Sequence, residues 1–452
     1  MWLLDEVLEA VKGEPLVVNR TSFTDISTDT RSIDKGELFI PLKGKNYDGH
    51  SFIPQALELS GGGCLCERNQ AGMVAGVRDT VILVDDTLKA LADLATYKRK
   101  RTKGQFIAIT GSNGKTTTKE ILVAMIKKTF SVHYNEKNYN NIIGVSRSIL
   151  SINEDRDFYV FELGTNSRGE IRTLAAIVEP DISIITNINP SHLEGLMDLK
   201  GVLEEKLDLF YGTKKGGSVF INVDDPYIIS SYRDENHIKC EYAIDRDALY
   251  RLIIDEDLGW EGFSLALNFP KVNFKARTRL LGKHNLYNIL AAASIAYRIG
   301  IGRSSIKETI EEFDYYDKRF RPVKSKKGYL VVDDTYNANP SSMEWAIKTV
   351  AGLPCRGNRI AIIGDMKELG EMTEFYHREL GRLLRQSNIK KTFLIGESVA
   401  YTFEEIGDER AELFKDRESL IESAARVIRM DDVVLVKGSR AARMEEIVEA
   451  LT

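Results

Sequence analysis

Basic residues hold no majority in this chain: 62 lysines and arginines stand against 67 aspartates and glutamates, a net charge of −5. A nucleic-acid binder normally carries a basic excess or stripe, so that class of partner is not expected. Long apolar runs are missing too. No stretch approaches the roughly 20 residues that cross a bilayer. The opening Met1-Trp2-Leu3-Leu4-Asp5-Glu6 is acidic, unlike a secretory signal. Cysteine is scarce, with four in 452 residues. Cys64 and Cys66 are close together, but Cys240 and Cys355 lie far off without metal-site spacing, so a disulfide framework is excluded and reduced thiols in a cytoplasmic protein are expected. Neither a short-period repeat nor a low-complexity tract occurs. What is present, 43% apolar and 29% charged residues, is the composition of a globular protein. The length exceeds what one core serves, and two to four domains are expected.

The most informative stretch is Thr110-Gly111-Ser112-Asn113-Gly114-Lys115-Thr116-Thr117-Thr118. It follows the apolar run Phe106-Ile107-Ala108-Ile109, which reads as a buried strand. It leads into Lys119-Glu120-Ile121-Leu122-Val123-Ala124-Met125-Ile126, which has helical spacing. Strand, glycine turn and helix, with Lys-Thr at the helix start, form a phosphate cradle. Backbone N–H groups and the positive end of the helix converge there, and glycine lets the chain come close. Lys115 is placed to meet terminal phosphates and Thr116 a Mg²⁺ ion. The full Walker pattern has a further glycine where Ile109 stands.

Residues 1–102 read as a first α/β unit. Ser27-Thr28-Asp29-Thr30-Arg31 is a polar turn and Gly36–Gly44 holds a short strand, with a further turn at Asp48-Gly49-His50 and a buried strand at Val81-Ile82-Leu83-Val84. The basic cluster Lys98-Arg99-Lys100-Arg101 reads as a solvated helix end and linker. Residues 103–314 alternate strand and helix. Strands are expected at Phe158-Tyr159-Val160-Phe161, at Asp181-Ile182-Ser183-Ile184-Ile185-Thr186-Asn187 and at Ser218-Val219-Phe220-Ile221-Asn222. This pattern favours an open parallel sheet with ligands beyond the strands' carboxyl ends, where the phosphate loop, Glu162 and His192 fall. Residues 315–452 repeat the logic, with strands at Tyr329-Leu330-Val331-Val332, Arg359-Ile360-Ala361-Ile362-Ile363, Thr392-Phe393-Leu394-Ile395 and Val433-Val434-Leu435-Val436, each followed by a helical stretch. The expected fold is α/β in three domains: an N-terminal α/β domain, a central P-loop parallel-sheet domain and a C-terminal Rossmann-like domain. A cleft between domains is the expected active site.

A phosphate loop alone leaves a motor, a switch, a kinase or a ligase open. A guanine switch usually carries Asn-Lys-x-Asp, and Thr186-Asn187-Ile188-Asn189 lacks the lysine. Glu162 sits where a strand-end acid would hold Mg²⁺. Histidine is an unusual partner for so hard an ion, so His192 would suit a second, differently built site.

Ile109–Thr116 resembles the nucleotide loop of the Mur ligases, which carry this shortened Walker form. Asn138-Tyr139-Asn140-Asn141-Ile142-Ile143-Gly144, Ile185-Thr186-Asn187 with His192-Leu193-Glu194, and Gly282-Lys283-His284-Asn285-Leu286-Tyr287-Asn288 are similar to that family and come in its order. Longer stretches resemble one branch of it, which adds D-alanyl-D-alanine to a UDP-N-acetylmuramoyl tripeptide. They begin at Glu162-Leu163-Gly164-Thr165-Asn166, Asp333-Asp334-Thr335-Tyr336-Asn337, Gly364-Asp365-Met366-Lys367-Glu368 and Lys437-Gly438-Ser439-Arg440. The Asp333–Met343 and Lys437–Glu445 stretches argue against the ligases adding the third peptide residue and against folylpolyglutamate synthetase. A P-loop switch is the alternative from another class.

The resemblance implies an ATP-dependent amide ligase of peptidoglycan synthesis, acting on small molecules and monomeric. ATP would be held by Gly111, Ser112, Asn113, Gly114, Lys115, Thr116 and Thr117, with Asn285 and Asn288 near adenine and Arg319 and Asp334 at phosphates and ribose. Capping of their helix is the plain alternative for the two asparagines. Two Mg²⁺ ions would lie near Thr116, Glu162, His192 and Lys206, the last as a carbamylated lysine. On spacing alone Lys206 is a surface lysine of a helix. Thr30, Arg31, Asn140, Asn141, Arg168, Tyr336 and Asn337 would face the substrates. The family's glycine before that arginine is here Lys318, which alters the local turn.

Overall fold

The computed structural model describes residues 1–44 and 46–452, and the chain divides into two compact units. One comprises Met1–Phe106 with His133–Leu163 and Thr173–Glu179; the other comprises Ile107–Val132, Gly164–Arg172 and Pro180–Thr452.

The first unit is built on a five-stranded sheet in the order Glu14–Val17, Thr80–Val84, Gly63–Glu67, Leu38–Phe39, Ile26–Ser27, with only the first pair antiparallel. Its strands Gly63–Glu67 and Thr80–Val84 are buried along their whole length, which is why they read as unbroken apolar or small runs. Ile53, Ala56 and Leu57 of the helix Ile53–Ser60 pack on Phe39, Cys64, Cys66 and Val81. All four cysteines are free, and burial pushes the Cys64 thiol upward. The basic cluster expected to be a solvated linker is the last turn of the helix Thr87–Arg101, and Arg99 within it is buried. Its guanidinium lies 3.5 Å from the Phe106 ring centre and donates to the carbonyls of Val178 (2.6 Å) and Glu179 (2.9 Å). Unpaired carbonyls at the end of a neighbouring helix and an aromatic face hold this arginine inside, where a charge count alone placed it in water.

In the second unit the strands Gln105–Thr110, Ile182–Ile185, Ser218–Asn222, Ile238–Ala243 and Tyr250–Asp257 lie side by side and parallel. The expected parallel sheet is therefore its core, but Phe263–Phe269 and Val272–Thr278 extend it antiparallel. Phe263, Leu265, Leu267 and Phe269 are buried while the residues between them are partly exposed, a period of two typical of a strand with one face to water. A second sheet runs Arg321–Lys324, Leu330–Asp334, Val433–Lys437, Arg359–Gly364, Lys391–Ile395, Ala411–Phe414, parallel but for its first pair. One apolar cluster runs from Ile185, Leu193 and Phe210 through Phe320 to Ile363 and Leu435, so both sheets of this unit share a core. No helix is long and apolar enough to cross a membrane among the described residues.

Candidate active site

The loop 110–118 joins the strand Gln105–Thr110 to the helix Lys115–Lys127. Gly111 and Gly114 have φ of +147° and +81°. A Cβ on Gly111 would stand 1.9 Å from Thr186 Oγ1, and one on Gly114 2.1 Å from Asn288 Oδ1, so backbone conformation and crowding both demand glycine. The stretch 186–189 is the loop's scaffold. Thr186 Oγ1 (2.6 Å) and Asn187 Nδ2 (3.0 Å) donate to the Asn113 carbonyl, the Asn113 N–H donates to Asn187 Oδ1 (3.1 Å), and Ser112 Oγ donates to the Asn189 carbonyl (2.7 Å). The residues that lacked a guanine-reading lysine thus shape the cradle instead. Lys115 Nζ turns back onto the Gly111 carbonyl (2.8 Å). Thr117 is buried beside Thr116.

Side chains from far along the sequence close on this loop. Arg319 Nη2 donates to Thr116 Oγ1 at 3.0 Å, and its guanidinium stacks 3.9 Å from the Tyr336 ring centre. The arginine is presented by a turn in which Lys318 and Phe320 have φ of +58° and +53°. Lys318 therefore occupies the left-handed conformation that glycine takes more easily, and the turn survives its substitution. Asp334 fixes that turn, accepting from the Phe320 N–H (3.1 Å) and from Lys437 Nζ (2.6 Å), which also reaches the Asn337 carbonyl (2.9 Å). Asn113 Nδ2 donates to Ser341 Oγ (2.9 Å) and Asn339 Nδ2 to Asn113 Oδ1 (2.8 Å). Asn339 is at the same time the N-cap of the helix Pro340–Gly352.

Asn285 and Asn288 lie in the first turns of the helix Lys283–Arg298, whose N-cap is Gly282, so neither caps it. Asn285 Nδ2 donates to the Leu281 carbonyl (2.9 Å), Asn288 Nδ2 to Asn285 Oδ1 (3.1 Å), and Thr118 Oγ1 to Asn288 Oδ1 (3.3 Å). Their row therefore braces the helix that follows the phosphate loop.

His192 and Lys206 lie in the same unit. Lys206 sits on the helix Leu199–Tyr211 yet is only 1% exposed, against the surface position that spacing suggested. Burial, reinforced by the neighbouring Lys115 charge, holds its pKa well below that of an ordinary lysine. Burial likewise lowers His192, with Lys115 and Lys206 adding to the effect and Glu368 opposing it. His192 Nδ1 is 2.6 Å from Glu368 Oε2, at an angle outside that of a regular hydrogen bond. Beside Lys206, the buried Glu205 accepts from Thr165 Oγ1 (3.0 Å) and from the N–H groups of Gly169 (2.5 Å) and Ile171 (2.7 Å), tying the loop that carries Arg168 to this helix. Arg168 itself is 3.8 Å from Glu204. A basic, partly desolvated cluster of this kind favours anions.

The remaining residues belong to the first unit. Glu162 is 3% exposed; its Oε1 accepts from Asn140 Nδ2 (2.9 Å), and Asn135 clasps its backbone, Oδ1 accepting the N–H and Nδ2 donating to the carbonyl, both 2.9 Å. Asn141 caps the helix Ile142–Leu150 through the Gly144 N–H (2.8 Å). Arg31 is exposed and forks onto Asp29 (2.9 and 2.7 Å), and that bond draws the Asp29 carboxyl down to about 2; Thr30 lies between them. His50 is fully buried, with Nδ1 2.6 Å from Asp48 and Nε2 accepting from the Glu67 N–H (3.2 Å), which makes that turn structural. Among the described residues no three His, Cys, Asp or Glu side chains could together hold a metal ion. A Mg²⁺ ion here would take one or two protein oxygens and complete its shell from bound phosphates and water, its usual habit.

Sequence reasoning missed Asn135, Glu205 and the Asn113–Asn339–Ser341 bridge. Each is a neutral or singly charged side chain serving a backbone or a distant turn, and nothing local marks it.

The description "Mur ligase family, catalytic domain" matches residues 22–99, "Mur ligase middle domain" residues 109–296, and "Mur ligase, glutamate ligase domain" residues 318–440. The UDP-N-acetylmuramoyl-tripeptide–D-alanyl-D-alanine ligase of Bacillus subtilis is 32% identical over 98% of this chain and 97% of its own length. The crystal structure of MurF from Acinetobacter baumannii superposes with a TM-score of 0.91 at 25% identity, covering 100% of this chain and 98% of that one. The MurF ligase of Thermotoga maritima in complex with ADP gives a TM-score of 0.85 at 27% identity, covering 94% and 96%.

Proposed function

This chain belongs to the Mur ligase family, and we propose that it is the ATP-dependent ligase joining D-alanyl-D-alanine to UDP-N-acetylmuramoyl-tripeptide to give the pentapeptide precursor of peptidoglycan. The observation that carries this reading is the full-length likeness to ligases of that name, on a chain whose phosphate loop is met by Arg319. The product belongs to cell-wall assembly, and through it to cell shape and division.

A carboxylate is a poor electrophile. An oxygen of the tripeptide carboxylate attacks the γ-phosphorus of ATP, ADP departs, and an acyl phosphate forms. The amine of D-alanyl-D-alanine then attacks the acyl carbon, gives up its proton, and inorganic phosphate leaves from the tetrahedral intermediate. Lys115 and Arg319 supply fixed positive charge where the phosphates gather, which offsets the charge developing on the transferred group. Gly111–Thr117 cradle the phosphates, and Asn285 and Asn288 lie on the adenine side. Asp334 holds the turn that aims Arg319 and faces the ribose. Thr116, Glu162, His192 and Lys206 would hold two Mg²⁺ ions, which supply charge neutralisation at the β- and γ-phosphates and at the substrate carboxylate. The depressed pKa of the buried Lys206 supports its carbamylation: a neutral amine adds CO₂ and releases a proton, replacing a cation by an oxygen ligand.

Residues 1–102 are assigned to the UDP-sugar peptide, 103–314 to ATP, and 315–452 to the C-terminal Rossmann-like part of the ligase. Thr30, Arg31, Asn140, Asn141, Arg168, Tyr336 and Asn337 face the substrates, and the enzyme is monomeric and cytoplasmic. The test is ADP release measured with each substrate alone and with both, using tripeptides that end in diaminopimelate or in lysine. Release that needs both substrates is expected; ATP turnover with neither would make the chain a P-loop switch.

A further inference from the structure

The turn Gly364-Asp365-Met366-Lys367-Glu368-Leu369-Gly370-Glu371 follows the strand Arg359–Gly364 and has no part in the chemistry above. Its backbone is strained at Glu368, with φ of +63°. His192 is strained in the same way, with φ of +52°. A non-glycine residue enters this region at an energetic cost, and such residues collect at functional sites. Here the two meet: Glu368 Oε2 stands 2.6 Å from His192 Nδ1. The turns carrying them are docked independently of that contact. The Glu194 N–H donates to the Glu368 carbonyl at 3.1 Å, and Met366 and Leu369 share a buried cluster with Leu193 and Leu196. The approach of Glu368 to His192 lies outside regular hydrogen-bond geometry, and among the described residues Nδ1, itself buried, has no regular hydrogen-bond partner.

An imidazole has two distinct nitrogens, and a carboxylate beside one selects the tautomer and leaves the other lone pair free for a ligand. We propose that Glu368 is a positioning residue that fixes the His192 ring with Nδ1 protonated and Nε2 turned to the phosphate-transfer site. The left-handed backbone at both residues is the means by which two turns aim these side chains at each other. The proposal rests on the reading of His192 given above.

Glu368→Gly removes the carboxylate while relieving the left-handed strain, so the fold is not endangered. Glu368→Gln keeps an accepting oxygen. Three quantities are measured: kcat and KM for the ligation, binding of Mn²⁺ by electron paramagnetic resonance with a non-hydrolysable ATP analogue present, and Tm. For Glu368→Gly, kcat and Mn²⁺ affinity are expected to fall by about 10- to 100-fold, while KM for ATP stays within about twofold and Tm does not drop. Glu368→Gln is expected to lose less in both. Wild-type kcat and Mn²⁺ affinity in Glu368→Gly, alongside loss of both in His192→Ala, would overturn the proposal. Unimpaired His192→Ala would instead remove the reading of His192 on which it depends. If Glu368→Gly lowers Tm, Glu368→Asn, which tolerates left-handed backbone, carries the same comparison.

Discussion

His284 and Lys206 are the basic side chains whose protonation the fold alters with most consequence. His284 stacks on Trp345 with ring centroids 5.7 Å apart and 5° between planes, and meets Phe320 edge-on. Burial lowers it to about 4 from 6.5, with Asp334 opposing that shift and Lys437 adding to it. The folded protein therefore holds this ring neutral where the unfolded chain takes up a proton. The stability it contributes is complete above pH 6.5 and is lost as pH falls toward 4. Because His284 as a residue is only half-buried, the loss is taken as about 2 kcal/mol. The urea midpoint should fall between pH 7 and pH 4.5 by the corresponding amount, and His284→Asn should remove that part of the pH dependence. An unchanged profile in His284→Asn contradicts the assignment. For Lys206, Lys206→Ala should abolish ligation and regain part of it when short carboxylates are added; wild-type activity in the variant would end the carbamate reading.

At the scale of single elements, the helix Lys115–Lys127 depends on Gly114 at its N-cap. Gly114→Ala must place a methyl 2.1 Å from Asn288 Oδ1 in left-handed backbone, so nucleotide binding should be lost and stability should drop by about 1–3 kcal/mol. Isothermal titration with ADP and a urea melt read the two effects separately. The helix Pro340–Gly352 bears on the same loop through Ser341. Ser341→Ala removes that bond together with the one Ser341 Oγ donates to Asn339 Oδ1 (3.1 Å), while the Ser342 N–H stays on the same oxygen. KM for ATP should rise about 2- to 10-fold, the worth of one hydrogen bond, with Tm nearly unchanged. An unaltered KM would show that the bridge from Asn113 is incidental. In the first unit, Arg99→Ala strips two carbonyls and the Phe106 face of their partner at once. A loss of about 2–4 kcal/mol is expected in chemical denaturation, and a change within 0.5 kcal/mol would mean that the carbonyls find water instead.

For the molecule as a whole, the phosphate loop and its partners Arg319, Ser341 and Asn288 lie in the unit that contains Ile107–Val132 and Pro180–Thr452. ADP at a hundredfold excess over its Kd should stabilise that unit by about 2.7 kcal/mol. Calorimetry with and without ADP reads that shift, and a transition unmoved by ADP would contradict nucleotide binding at the loop. The sequence by itself determined the strand–loop–helix at 105–127 and the parallel strands at 182–185, 218–222, 330–334, 359–364, 391–395 and 433–437, but not those at 238–243, 250–257 and 411–414. Uninterrupted apolar runs and glycines at left-handed positions are local facts, dictated by sterics and backbone hydrogen bonding within a few residues. The antiparallel strand at 263–269 carries an equally local signal in its alternation of buried and part-exposed residues. Only the tertiary structure decided that Lys206 is interior, that Arg319 reaches Thr116 from 203 positions away, and that Glu368 meets His192. A helix of mixed composition does not say which of its faces a second sheet will cover. A turn does not say which distant turn it will dock against. Both are settled by the packing of whole elements around the shared core, and that packing gathers these side chains around the phosphate loop.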